Sequence, residues 1–240
     1  MNFYQELQQA TQTDKQYLFT APLISAALKG QVDVRSYIAF LEQAYHHVSH
    51  TVPLLMACGS RLPMRLEWLR GAMVDYISEE YGHQEWILND IRAAGGDAEA
   101  VRHGRPALPT ELMVSTMYDR INRQNPVAML GMIYVLESTS TELATHAAGS
   151  LQQGLGLPDA AFTYLSSHGA LDLEHMKFYE RLVNRLSDEV DRQCVIDTAK
   201  VIYHLYADMF RNLPDYSAQT ARQMAPTATK IAEVTHAFAG

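Results

Sequence analysis

The sequence predicts an all-α chain, a bundle of about seven helices, and three observations carry that expectation. Apolar residues recur at spacings of three and four, as in Tyr37, Phe40, Leu41, Ala44 and Val48. Stop and start signals built from Gly, Pro, Asn and Asp punctuate the chain at roughly helical lengths. No segment alternates apolar and polar residues as a half-buried strand would. Helices of this length imply one cooperative domain, 1–214, followed by an Ala/Thr/Gln-rich tail, 215–240, to which the sequence assigns no element.

Residues 3–30 read as two helical pieces around Thr20–Pro22, closing at Lys29–Gly30. Asp33 caps a second helix over 34–58, in which Pro53 marks a kink or boundary. A third helix covers 64–94 and stops at Gly95–Gly96; residues 97–109, with Gly104, Pro106 and Pro109, form the longest loop. The fourth helix takes 110–123. Asn125–Pro126 opens a fifth that reaches about residue 153, with Pro in its first turn. Pro158–Asp159 opens a sixth, which runs to about residue 186, and Ser187 caps a seventh that ends before Leu213–Pro214.

A net charge of −8 argues against nucleic acid or an anionic membrane as partner, since both select positive fields. The most apolar stretch, 126–136, is about half a bilayer span and runs into Glu137. The N-terminus, MNFYQELQQATQTDK, has no charged segment followed by an apolar one, so no secretory signal is expected and the cytoplasm is the default location. Cys58 and Cys194 lie far apart without a CxxC pattern, which disfavours a disulfide framework or a zinc–thiolate site.

Ionisable residues interrupt three of the helices. The third holds Glu79, Glu80 and His83, with Glu80 and His83 three apart and hence on one helical face. The sixth holds His168, Asp172 and His175 at i, i+4 and i+7, a single stripe in which Asp172 and His175 repeat the carboxylate-x-x-His spacing. Glu137 follows the run Ala128 to Leu136, and an ionised carboxylate buried there without a partner would cost several kcal/mol. Three carboxylates and three imidazoles without a thiolate are the ligand types of non-haem iron or manganese. Helical bundles build two-metal sites from such motifs on facing helices.

These motifs, with Leu28-Lys29-Gly30 and the stretch Tyr37, Phe40, Leu41, Gln43, Tyr45, resemble the haem-oxygenase-like diiron oxidases. That family lies within the superfamily of thiaminase II and the terminal oxidase of pyrroloquinoline quinone synthesis. The resemblance spans residues 3–213. It implies a seven-helix haem-oxygenase-like fold and Glu80, His83, Glu137, His168, Asp172 and His175 as metal ligands, with Glu79 competing for the place of Glu80. It also implies two iron ions, the second held more weakly, with O2 as co-substrate and a small metabolite such as an amino acid, fatty acid or amine as substrate. The expected partners are that small molecule and a second copy of the chain.

Other readings stand beside this one. The His168 stripe and the Glu79–Glu80 pair would also suit solvated helix faces, and Glu137 an internal salt bridge. A metal-free, cofactor-independent oxidase or a non-catalytic iron-binding protein are the alternative functions. A thiaminase-type nucleophile is disfavoured because neither cysteine falls near the fifth helix, and haem oxygenase chemistry because no histidine precedes His46. His46, His47 and His50 read as pocket packing, Tyr134 as a hydrogen-bond partner of a ligand carboxylate, and His204 with Tyr203 and Tyr206 as pocket lining or core.

Overall fold

The computed structural model describes residues 1–214, with 144–148 and 168–174 described by backbone alone; the tail, 215–240, lies outside the described residues. Among the described residues there are twelve α-helices and no strand. The all-α expectation holds, while several of the expected long helices are divided.

The first 30 residues form three helices: α1 (Phe3–Ala10), α2 (Gln12–Phe19) and α3 (Pro22–Leu28). Asn2 and Gln5 cap the start of α1 reciprocally. Thr11 divides α1 from α2, its hydroxyl donating back to the Leu7 carbonyl at 2.8 Å. The expected 34–58 helix is α4 (Val34–Val48) and α5 (Thr51–Arg61), parted at Ser49–His50. Asp33 caps α4, accepting from the Ser36 amide at 2.7 Å. Pro53 falls in the first turn of α5, where its missing N–H removes no helical bond.

The expected 64–94 helix breaks at a point that matters for function. It forms α6 (Glu67–Glu80) and α7 (His83–Ala93), separated by Tyr81 and by Gly82 at φ +95°, a left-handed conformation that only glycine adopts cheaply. Glu80 and His83 therefore do not share one continuous helix, as the spacing argument supposed. The expected long loop contains α8 (Ala98–His103), capped by Asp97. Next come α9 (Leu108–Asp119) with a π-turn over Arg120–Gln124, and α10 (Ala128–Leu155), which ends at Gly156 in the left-handed region. The last two are α11 (Thr163–Val183) and α12 (Glu189–Arg211). Asp188 rather than Ser187 caps α12, accepting from the Val190 amide at 2.8 Å.

The first two turns of α10 are buried almost completely, from Ala128 to Val135, and pack between α11 and α12. Gly131 makes the second of these contacts close. A Cβ there would lie 2.7 Å from the Val195 carbonyl oxygen and 2.9 Å from the Ala199 amide nitrogen of α12. The Tyr179 hydroxyl, on α11, donates to the Leu130 carbonyl at 2.9 Å. A second apolar cluster joins α4, α7 and α8 to the end of α10 through Leu41, Ile87, Leu88, Val101 and Leu151. These packings fix the register of α10, and with it the position of Glu137, two residues beyond the buried run. Among the described residues no helix is long and apolar enough to cross a membrane.

Candidate metal centre

The candidate site lies where the C-terminus of α6, the start of α7, the middle of α10 and α11 converge. Glu79 and Glu80 occupy the last turn of α6, which carries no basic residue. The end of a helix is its negative pole, so two carboxylates there are destabilised unless something positive or proton-donating faces them.

Two imidazoles meet them. His83, buried at the first position of α7, places Nδ1 3.1 Å from Glu80 Oε2, and its ring stacks on Trp86 at 4.0 Å between centroids. The turn at Gly82 bends the chain so that this pairing forms across the helix break. His175, buried on α11, places Nε2 3.0 Å from Glu79 Oε2 and Nδ1 3.9 Å from Glu137 Oε1. The second distance is too long for a hydrogen bond, and leaves the ring edge directed toward Glu137. The Glu80 and Glu137 side chains are 12% and 11% exposed, against 53% for Glu79.

Glu80 and Glu137 open on one cavity of about 70 Å³, whose wall also includes His47 from α4 and Tyr76 from α6. Its remaining lining is largely apolar, with Met129, Met132, Ile133 and Leu136, and among the described residues it includes no lysine or arginine. His47 packs edge-on against Tyr206. Burial, and then the neighbouring Glu137 charge, hold the Tyr76 hydroxyl well above the ordinary tyrosine range, so it keeps its proton.

Of the residues singled out from sequence, the structure brings together Glu80, His83, Glu137 and His175. His168 and Asp172 have side chains outside the described residues. Glu79, the competitor of Glu80, reaches His175. Tyr76 escaped the sequence reading, although it sits one turn before Glu80 on the same face of α6. Two secondary expectations, for Tyr134 and His204, are corrected. Tyr134 packs with Tyr4, Tyr179 and Tyr203, and its hydroxyl bonds Thr11 and Tyr203 rather than a carboxylate of the site. His204 is half-exposed and bonds Asp14 at 2.9 Å, away from the cavity. His50 bonds the Tyr118 hydroxyl at 3.1 Å.

Among the described residues no three of His, Cys, Asp and Glu are grouped as the ligands of one ion. The donor chemistry nevertheless fits a divalent metal: largely buried carboxylates beside imidazole nitrogens at the negative end of a helix, with no lysine or arginine among the described residues that line the cavity.

The profile of a protein family described as iron-containing redox enzymes matches residues 38–207. No curated protein matches the chain. Among solved structures, one similar fold is a domain of unknown function with a heme oxygenase-like fold from Shewanella denitrificans OS217. It is 21% identical, the match covers 95% of this chain and 97% of that one, and the TM-score is 0.78. Heme oxygenase-1 from the cyanobacterium Synechocystis sp. PCC6803, in complex with heme, is 14% identical over 93% of this chain and 97% of its own, with a TM-score of 0.75. A TenA homolog from Pseudomonas syringae pv. tomato DC3000 is 13% identical over 90% and 93%, with a TM-score of 0.71. At these identities the likeness establishes the heme oxygenase-like fold.

Proposed function

This chain belongs to the family of iron-containing redox enzymes, and on that premise we propose that it is a non-haem iron oxidase or oxygenase that uses O2 to oxidise a small metabolite. One observation carries the reading. Two largely buried carboxylates, Glu80 and Glu137, face one cavity with His83 and His175 beside them, and among the described residues that cavity has no lysine or arginine in its wall.

Glu80, His83, Glu137 and His175, with His168 and Asp172 from α11, would hold iron, as two ions with the second bound more weakly. Bound iron would supply the electrons and the open coordination positions that O2 reduction needs. The protein's own part follows from its geometry. Met129, Met132, Ile133 and Leu136 make the cavity wall poor in water. Tyr76 holds a proton on its hydroxyl at the cavity wall, available to a group that gains negative charge there. His47 lines the same cavity from α4, its ring edge-on to Tyr206.

Anaerobic Fe(II) loading followed by measurement of O2 uptake tests this reading. Wild-type protein is expected to consume O2 in a metal-dependent way and H168A to lose that uptake; uptake at the wild-type rate by H168A would refute the ligand set. The metal-free oxidase reading predicts O2 uptake that ignores iron, and the non-catalytic reading predicts iron binding without sustained O2 uptake. Haem is a second iron-containing possibility because Synechocystis heme oxygenase-1 shares the fold. In this chain α1 to α3 contain no histidine to ligate it.

A further inference from the structure

A second cavity of about 70 Å³ adjoins the first. The two share Ser140, Tyr164 and Tyr206 as walls. Ser140 lies one turn after Glu137 on α10, so the shared wall stands next to the carboxylates. That chamber is built from α3, α4, α10, α11 and α12, with Ile24, Ala27, Val32, Phe40, Leu143 and Phe210 among its walls. Among the described residues its lining contains no charged side chain, and the Tyr37 hydroxyl on its border is already spent on the Ala161 carbonyl at 2.8 Å. The packing of Phe40 on Phe210, 5.6 Å between centroids, makes one wall flat and aromatic.

We propose that this chamber holds the hydrocarbon body of the substrate, so that the molecule oxidised has one polar end in the Glu80–Glu137 cavity and an uncharged apolar remainder beyond Ser140. This rests on the function proposed above for the polar cavity and narrows its substrate. A metabolite charged at both ends, such as a basic or acidic amino acid, would bury its second charge among Leu, Ile, Val and Phe side chains, where the described lining offers hydroxyls but no opposite charge. An alkyl chain or unsubstituted ring loses nothing there and gains by leaving water. At ~10–15 Å³ for each water-sized group, the chamber takes about five to seven methylene-sized groups.

The test titrates straight-chain primary alcohols, from propanol to decanol, into the iron-loaded protein by calorimetry, with retained iron measured on the same samples. A neutral head keeps charge attraction out of the comparison. Affinity is expected to rise about fourfold per methylene, then level off when the chamber is full. Filling the chamber with Ala27→Phe should move the plateau to shorter chains, and widening it with Val32→Ala should move it to longer ones, an opposition that general destabilisation does not produce. Affinity independent of chain length in protein that retains iron, or a plateau unmoved by both variants, overturns the chamber while leaving the iron reading intact. A chain-length gradient in folded protein that retains no iron supports the chamber and overturns the iron reading instead.

Discussion

Gly131→Ala is the sharpest structural test of how α10 is placed. The added methyl would meet the Thr198 Cβ at 2.7 Å, the Val195 carbonyl oxygen at 2.7 Å and the Ala199 amide nitrogen at 2.9 Å. Two of these are backbone atoms of a 23-residue helix, which cannot swing aside as a side chain can. Relief therefore requires α10 and α12 to part by several tenths of an ångström. Overpacking of this kind costs about 1–3 kcal/mol, with α12 backbone contacts favouring the upper half, while Ala in place of Gly within a helix returns ~1 kcal/mol. The net expectation is a loss of about 1–2 kcal/mol, read as a lower midpoint in urea at unchanged slope. Gly71→Ala, in α6, is the matched control, because a Cβ there meets nothing within 4 Å. It should stabilise by up to about 1 kcal/mol. Since Glu137 follows Gly131 by under two turns, G131A should also retain less iron. G131A as stable as G71A would refute the close crossing of α10 and α12.

The other predictions concern charge and protons. Glu79→Gln should lower iron retention without unfolding the protein, because His175 loses the carboxylate that fixes its ring; outer partners of metal-bound histidines are typically worth about 10–100-fold in affinity, and unchanged retention would deny Glu79 that role. Tyr76→Phe should fold and bind iron normally but turn over more slowly, since it removes the proton held at the cavity wall; an unchanged rate would take Tyr76 out of the reaction. Asp191 is buried, where burial alone would raise its carboxyl. Hydrogen bonds from Arg65 at 2.5 Å and Asn125 at 2.9 Å outweigh that and hold it below the ordinary carboxylate range. A depressed folded value means that the stabilisation is complete above about pH 5 and is lost as pH falls through the lowered value. Asp191→Asn should therefore cost about 1 kcal/mol at pH 7, a figure kept small by the half-exposed Arg65, and flatten the acid side of the stability profile. Parallel acid profiles for D191N and wild type would contradict this. Added haem should give no histidine-ligated absorption band, and such a band would reopen the haem reading.

The helical class was legible because period and punctuation agree over most of the chain, and the residues of the candidate centre were legible because carboxylates and imidazoles interrupt apolar runs. The break at Tyr81–Gly82 was not, since a lone glycine inside a helical pattern is tolerated as often as it terminates one. The signal was present in Glu-Glu-Tyr-Gly-His, where glycine stands two residues past a pair of acids that the end of a helix disfavours. The divisions at Thr11 and Ser49 depend on hydroxyls bonding back to carbonyls, a choice that spacing does not encode. The pairing of Glu79 with His175 and the apolar chamber beyond Ser140 come from helices remote in sequence, and each of those segments alone reads as ordinary core.

Metal content bears most directly on the central claim. Fe(II) is added anaerobically, excess is removed by desalting, and iron per chain is determined by elemental analysis beside a circular-dichroism check of folding. The account predicts retained iron, two ions per chain or one with a second at higher Fe(II), and its loss in Glu137→Ala and His83→Ala variants that remain helical. Folded wild-type protein that retains no iron would contradict it.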